Sequence, residues 1–405
     1  MPKCLICKTD YLPFISFGEM PIANGFLTST QFENEYFFSL QVGHCPNCHM
    51  VQLVEQPDRE MMFHDDYAFF SSTSKRQEIH FKEFAKSVAD KYLSSDDPFV
   101  IELGSNDGIM LQNFASAGIR HLGIEPSKNV AKVAIEKGVN TISEFFDEKL
   151  ADIIIEENGK ADAILAANVM CHIPYLHSVA AGFKKLLKPD GIIIYEDPYL
   201  GDIVEKTSYD QIYDEHVFYF SVASVSNLFE QHDLEVVDVA HQDVHGGSMR
   251  YIIAHKGEKE ISESVNIQRI KENELGLHLP DTYKNLAKGI ESSRTQLLEL
   301  LTDIRKQGKR IVGYAATSKS TTVTNYCSIG PELIEFISDT TPIKQGKYSP
   351  GTHIPVKSHK VFKSNYPEYA LLFGWNHAKE IMENEKEFME SGGKWVVYVP
   401  EVKII

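Results

Sequence analysis

Between residues 99 and 196 the chain alternates short apolar runs with amphipathic stretches. The runs at 99–103, 121–125, 161–167 and 191–196 are almost continuously apolar, as strands buried on both faces must be. Between them, 129–136, 147–157 and 176–187 carry apolar positions at helical spacing. Regular β-α alternation of this kind predicts an α/β fold with a doubly wound parallel sheet. Ahead of it, 76–92 reads as a helix with Ile79, Phe81, Phe84, Ala85 and Val88 on its apolar face. Behind it, 234–240 and 248–255 read as an antiparallel strand pair. From 256 to about 309 the chain is charged and helical, with apolar Ile270, Leu275, Leu286, Ile290, Leu297, Leu300 and Ile304. No heptad persists, so this is expected to be a helical connector and not a coiled coil. Strand-like runs at 310–315, 333–338, 369–373 and 395–399 then predict a second, smaller α/β domain. The expected division is 1–72, 73–257 and 258–405.

Composition narrows the function classes. With 43% hydrophobic and 11% aromatic residues the chain is expected to build a sizeable core. No apolar run approaches bilayer length, and the Met1 region lacks a charged-then-apolar targeting pattern, so no membrane partner and a cytoplasmic location are expected. A formal net charge of -17 argues against a nucleic-acid partner. The basic clusters Lys184-Lys185, Arg305-Lys306 and Lys309-Arg310 are too sparse to override it and read as solvated helix ends.

The first 72 residues hold two knuckles, Cys4-Leu-Ile-Cys7 and Cys45-Pro-Asn-Cys48. Each CxxC turn brings two thiolates to one ion, and two turns complete a tetrahedral zinc site. All four positions are then filled by protein, which leaves no place for a reactive water. One structural zinc per chain is expected. The segment between the knuckles holds Phe14, Phe17, Phe26, Phe32, Tyr36 and Phe37, too little for a large core. Metal binding would supply folding free energy on the order of 10 kcal/mol. A pair of disulfides is the rival reading; without an export signal, and with Cys171 and Cys327 isolated, zinc is preferred.

The run Ile101-Glu-Leu-Gly-Ser-Asn-Asp-Gly108 ends a predicted strand and opens a turn. Gly104 and Gly108 permit the tight turn and close approach of backbone to a ligand. The next strand ends at Glu125-Pro126, where an acid can accept ribose hydroxyl protons. The spacing is not GxGxxG, which departs from NAD enzymes. It resembles motif I of class I S-adenosylmethionine (SAM) methyltransferases. That resemblance implies a cofactor site of Glu102, Gly104, Ser105, Asn106, Gly108, Glu125 and Pro126, with Glu102 near the methionine end. It adds Asn168 and His172 from the loop 167–173, and Phe145 (with Phe146) flanking adenine. Taken alone, the glycines and Glu125 could equally end the elements of a structural fold.

Longer motifs extend the resemblance over essentially the whole chain: Tyr67 in YxxxSSTS, Tyr213-Asp-Glu-His216, His245-Gly-Gly-Ser248, residues 339–346 and 350–355. With the knuckles and the glycine loop, these resemble the nucleotide-sugar C-methyltransferase family. The resemblance implies a zinc-binding module, a Rossmann-like SAM methyltransferase domain, and a smaller C-terminal Rossmann-like domain that binds the nucleotide sugar. It also implies methylation, at carbon 3 by preference, of a dTDP-linked keto-deoxysugar to give a branched-chain sugar. A sugar carbon beside a ketone becomes nucleophilic once a base removes its proton. His216 suits that base, Glu215 orients its surroundings, and Tyr213 and Tyr67 are candidate donors to substrate oxygens. His245 is the competing base and His172 the third. Adjacent Glu215 and His216 need a turn to converge, since on a strand they would point apart. Each of these residues also has a packing explanation.

Ser71, Ser72 and Thr73 are expected to touch substrate. Gly313-Tyr-Ala-Ala-Thr-Ser-Lys319 follows a strand and opens a helix, so Ser318 and Lys319, with Lys344, are expected to hold the diphosphate. It is no Walker loop. A solvated lysine beside an N-capped helix is the plainer alternative. Two other functions stay open at this point: an O- or N-methyltransferase, which needs no enolate, and a non-catalytic zinc and cofactor-binding protein. The chain is expected to act as a monomer or homodimer.

Overall fold

The computed structural model describes residues 1–62, 71–73 and 75–405. The metal module pairs β1 (Leu12–Pro21), β2 (Phe37–His44) and β3 (Val51–Leu53) as antiparallel neighbours. The helix Lys75–Tyr92 follows, burying Phe81, Phe84, Ala85 and Val88. Ile79, expected on the same face, is 52% exposed. The central sheet takes β4 (Phe99–Leu103), β5 (Arg120–Ile124), β6 (Thr141–Ile142), β7 (Ala161–Ala167) and β8 (Leu187–Pro198). A short β9 (Phe218–Tyr219) comes next, followed by β10 (Leu234–Gln242) and β11 (Ser248–His255). The order is β10-β11-β8-β7-β4-β5-β6, with β4 to β8 parallel and β10 and β11 antiparallel as expected. The strand β6 escaped sequence reading because two residues make no apolar run.

β9 does not join the central sheet. It pairs with β3, so the module's sheet is completed by a strand from the middle of the chain. The module thereby gains apolar cover that it lacks on its own. One cluster of buried side chains joins its Phe17, Met20, Phe38 and Leu40 to Leu200, Ile203 and Ile212, and to Leu286, Ile290 and Leu297 of the connector. The connector itself is two helices, Glu263–Glu274 and Pro280–Lys306, the second starting on the proline that fits a first helical turn. Ile270, expected to be apolar cover, is 57% exposed.

The third sheet contains β12 (Ile311–Tyr314), β13 (Ile337–Asp339), β14 (Val356–Ser358), β15 (Tyr369–Leu372), β16 (Lys394–Val397) and β17 (Lys403–Ile404). Its order is β14-β13-β12-β15-β16-β17, parallel except for β17. The strand order reverses between β12 and β15, which places a ligand crevice at their carboxyl ends. In the central sheet the corresponding reversal lies between β4 and β7. Among the described residues no helix is long and apolar enough to cross a membrane.

Candidate active site

The two reversal points open onto one cavity of about 440 Å³. It is lined by the loops after β4, β5 and β7 on one side and the loops after β12, β13 and β15 on the other. Asn24 and Arg59 come to it from the metal module.

The end nearest the central sheet is shaped by the glycine loop. Gly104 has φ +60°, and a Cβ there would lie 2.2 Å from Val169 Cγ2. Both the backbone conformation and the space therefore require glycine. The Asn106 N–H donates to Glu125 Oε2 (3.0 Å) and the Ser127 N–H to Glu125 Oε1 (2.8 Å). Each carboxylate oxygen keeps a further lone pair for a ribose hydroxyl. Burial raises the Glu125 pKa, against the pull of those two amides. The Arg59 guanidinium lies 4.0 Å from the Phe145 ring centroid and donates to the Tyr175 hydroxyl at 3.0 Å. Gly104, Asn106, Glu125, Pro126, Phe145, Phe146, Asn168 and His172 all line the cavity. Glu102, Ser105 and Gly108 stand behind this wall and are not among its lining residues. Glu102 is buried, and desolvation and then the Glu125 charge hold its carboxyl well above the usual range. Gly108 (φ +79°) allows the turn to pack on Val139 and Ala134. The crowded Gly104 and the half-satisfied Glu125 carboxylate fit the adenosine end of SAM.

Deeper in, residues 213–216 form a turn closed by the His216 N–H to the Tyr213 carbonyl (3.0 Å). This turn is what lets neighbouring Glu215 and His216 both reach the cavity. His216 Nδ1 sits 2.7 Å from the Gln211 carbonyl oxygen, which only accepts, so Nδ1 carries the ring proton. Nε2 is then the lone-pair nitrogen, and it accepts from the Tyr213 hydroxyl at 2.7 Å. Burial, followed by the neighbouring His172, holds the His216 pKa well below its ordinary value. The imidazole is therefore neutral at pH 7, but its lone pair is directed at Tyr213 and not at open space. Glu215 accepts from Asn24 Nδ2 (2.8 Å), and Asp214 from the Ala23 N–H (2.9 Å). Burial and the Glu215 charge push Asp214 up to about 8. His245 has φ +52° and its Nε2 accepts from the Asn168 amide (3.2 Å). Burial and then Lys319 push it down to about 3. His172 stacks on His216 at 5.3 Å between centroids. It lines the cavity, with burial lowering its pKa to about 4.

At the third-sheet end, the helix Ser318–Tyr326 starts on a Thr317–Ser320 capping box. Ser318, Lys319 and Lys344 all line the cavity. Lys319 lies over the Trp375 ring (5.0 Å) and reaches Asn376 Oδ1 (3.4 Å). Lys344 donates to the Ala316 carbonyl (2.8 Å). Burial lowers the pKa of both. Asp339, which the sequence reading did not single out as a site residue, accepts from the Ala316 and Thr341 N–H groups at 2.7 Å each. Asn24 and Gln211 were likewise missed. Asp339 had a signal, an acid closing the second strand of a β-α set; Asn24 and Gln211 had none. Ser71 lines the cavity and donates its N–H to Asn106 Oδ1. Ser72 faces away and accepts from Lys137. Thr73 closes the turn Ser71–Thr73, and Tyr67 lies outside the described residues.

The knuckles bring Cys4, Cys7, Cys45 and Cys48 together, their sulfurs all within 4.8 Å of one another. Cys4 and Cys48 are 3.5 Å apart, Cys7 and Cys45 3.3 Å. The Cys48 thiol holds the Cys4 pKa down at about 5, while burial raises Cys45 to about 11. Four soft ligands in so small a space fit a tetrahedral structural zinc that would replace those thiol protons. Cys171, His172 and His216 also cluster, but both His216 nitrogens are already engaged by Gln211 and Tyr213.

Comparison with known proteins follows the same three-part layout. Residues 4–63 match a family described as a putative zinc binding domain, 73–239 a methyltransferase domain, and 243–400 a C-methyltransferase C-terminal domain. The chain is 35% identical over 406 residues to C-methyltransferase NovU from Streptomyces niveus, covering 100% of this chain and 96% of that one. It is 31% identical over 109 residues to a ubiquinone biosynthesis O-methyltransferase from Pasteurella multocida, covering 24% of this chain and 44% of that one. Among solved structures it is similar to magnesium protoporphyrin IX methyltransferase from Synechocystis PCC 6803 with bound SAM. That similarity amounts to 13% identity over 49% of this chain and 89% of that one, with a TM-score of 0.34.

Proposed function

The chain belongs to the C-methyltransferase family, and we propose that it methylates a carbon next to the ketone of a nucleotide-linked keto-deoxysugar. SAM, when bound against Gly104 and Glu125, supplies an electrophilic methyl group. The observation that carries the reading is the Tyr213–His216 pair, set in a cavity between two nucleotide-type crevices.

Gln211 fixes the tautomer of His216, and His216 in turn accepts the Tyr213 proton. Tyr213 is thus the group that meets the substrate: as the phenol gives its proton to Nε2, its oxygen takes the proton from the acidic C–H. His216 drives this step through Tyr213 and does not itself touch carbon. Glu215 accepts a hydrogen bond from the sugar and sets the C–H toward Tyr213. Lys319, Lys344 and the amides opening the helix Ser318–Tyr326 hold the diphosphate. Asp339 then does for the carrier nucleoside what Glu125 does for adenosine. A dTDP carrier and carbon 3 are the specific forms favoured.

Offering a panel of 4-keto and 3-keto nucleotide sugars and weighing the products tests the proposal. A mass gain of one methyl is expected, with NMR of the product showing the new methyl bonded to a ring carbon. A methyl found on oxygen or nitrogen would overturn the enolate route.

A further inference from the structure

The residues 23–27 of the metal module form a wedge between the other two parts. The Ala23 N–H donates to Asp214 and its carbonyl accepts from Thr321 Oγ1 at 2.8 Å. Asn24 Nδ2 donates to Glu215 at 2.8 Å. The Phe26 ring lies 4.7 Å from Lys344 Nζ, and Leu27 exchanges backbone hydrogen bonds with Tyr348. The catalytic turn and the helix Ser318–Tyr326 are thus both held by the same few module residues. Thr322 Oγ1, bonded to the Ile212 carbonyl at 2.8 Å, closes the contact directly.

Asn24 is the member of this wedge that reaches the cavity. Its amide donates to the Glu215 carboxylate, which neighbours Asp214, a second buried acid, and feels the Lys344 charge. A carboxylate in a wall of low polarity keeps a fixed orientation only when donors hold it. We propose that Asn24 is a positioning residue for Glu215, so that the metal module forms a working wall of the active site as well as a separate metal-built fold. The inference rests on the proposed role of Glu215 in turnover.

Asn24→Ala, Asn24→Asp, Glu215→Gln and the Asn24→Ala/Glu215→Gln pair, made in the full-length zinc-loaded protein, test it. The probe is whichever dTDP-linked keto-sugar of the panel the unmodified enzyme methylates. Both Asn24 variants are expected to lower kcat about tenfold to a hundredfold, the weight of a hydrogen bond to a charged group. Zinc content and SAM affinity should not change. Asp has the shape of Asn but repels Glu215, so a space-filling role would survive Asn24→Asp and a positioning role would not. The double variant should be no worse than Glu215→Gln alone, because the amide acts through that carboxylate. Multiplying losses in the double variant, a parental kcat in Asn24→Asp, or an effect confined to the sugar KM would overturn the inference while leaving Glu215 in place. A parental kcat in Glu215→Gln would remove Glu215 and the inference with it.

Discussion

Asp339 and Glu125 occupy the same station in two different sheets. Each closes the second strand of its β-α set, and each holds two backbone N–H groups, one from the loop after the first strand. Two such acids facing one cavity fit the proposed methyl transfer from a nucleoside cofactor to a nucleotide-borne substrate. Asp339→Asn and Lys319→Ala should therefore raise the KM for the nucleotide sugar about tenfold each, the cost of a charge-assisted hydrogen bond. SAM affinity should stay at the parental value. Titration calorimetry with SAM and with the carrier nucleotide alone separates the two ends.

Gly104→Ala tests the cofactor end. The φ of +60° costs a non-glycine residue about 1–2 kcal/mol. The new Cβ would also meet Val169 Cγ2 at 2.2 Å. Loss of SAM binding by tenfold or more is expected, with zinc content unchanged. Adding Val169→Ala should recover part of the affinity, because it removes the clash and leaves the strain.

The legible parts of this molecule were those written locally. Strand-helix alternation gave the central sheet, the CxxC spacing gave the metal cluster, and the strand end at Glu125 marked an acid that does line the cavity. What the sequence hid depends on distant residues meeting. Nothing local marks Phe218–Tyr219 as the fourth strand of the module's sheet, or Asn24 as the neighbour of Glu215. The motif marks both Tyr213 and His216, and both line the cavity; that their side chains bond to each other depends on side-chain direction within one turn, which the motif does not carry. Ile79 and Ile270 fit a helical apolar pattern yet face water, since periodicity says which residues share a face and not what covers it.

The turn bearing His245 is pinned by a pH-sensitive contact. Asp202 lies 2.7 Å from His241 Nε2 and 2.6 Å from Lys206 Nζ, and Lys206 also donates to the Gly246 carbonyl at 2.6 Å. The Asp202 bond raises the His241 pKa above 6.5, against burial. That contribution is complete below pH 6.5 and fades as pH rises through the folded value. Burial alone would lift Asp202, but His241 and Lys206 outweigh it and hold it below 3.8, so its contribution fades only as pH falls through that lower value. Urea denaturation of the parent and His241→Asn should show the widest gap between about pH 4 and 6.5, closing on the alkaline side. A gap that widens above neutrality would contradict the assignment.

Metal analysis should find one zinc per chain, retained through turnover. Cys45→Ser or chelation should remove folding free energy on the order of 10 kcal/mol from the module. Because β3 pairs with β9 just after the turn 213–216 that the proposed mechanism uses, activity should fall with the metal. Hydrogen exchange across β1 and β2 reads the structural loss directly; parental protection in the zinc-free protein would show that the metal does not hold this sheet.

In the proposed mechanism Tyr213, driven by His216, removes a proton from carbon. Incubating the keto-sugar with the enzyme in D₂O without SAM measures that step alone. Deuterium should enter at the carbon beside the ketone, and Tyr213→Phe and His216→Asn should each slow its entry about a hundredfold to ten-thousandfold. Exchange at the parental rate in both variants, or none in the parent enzyme, would contradict the account.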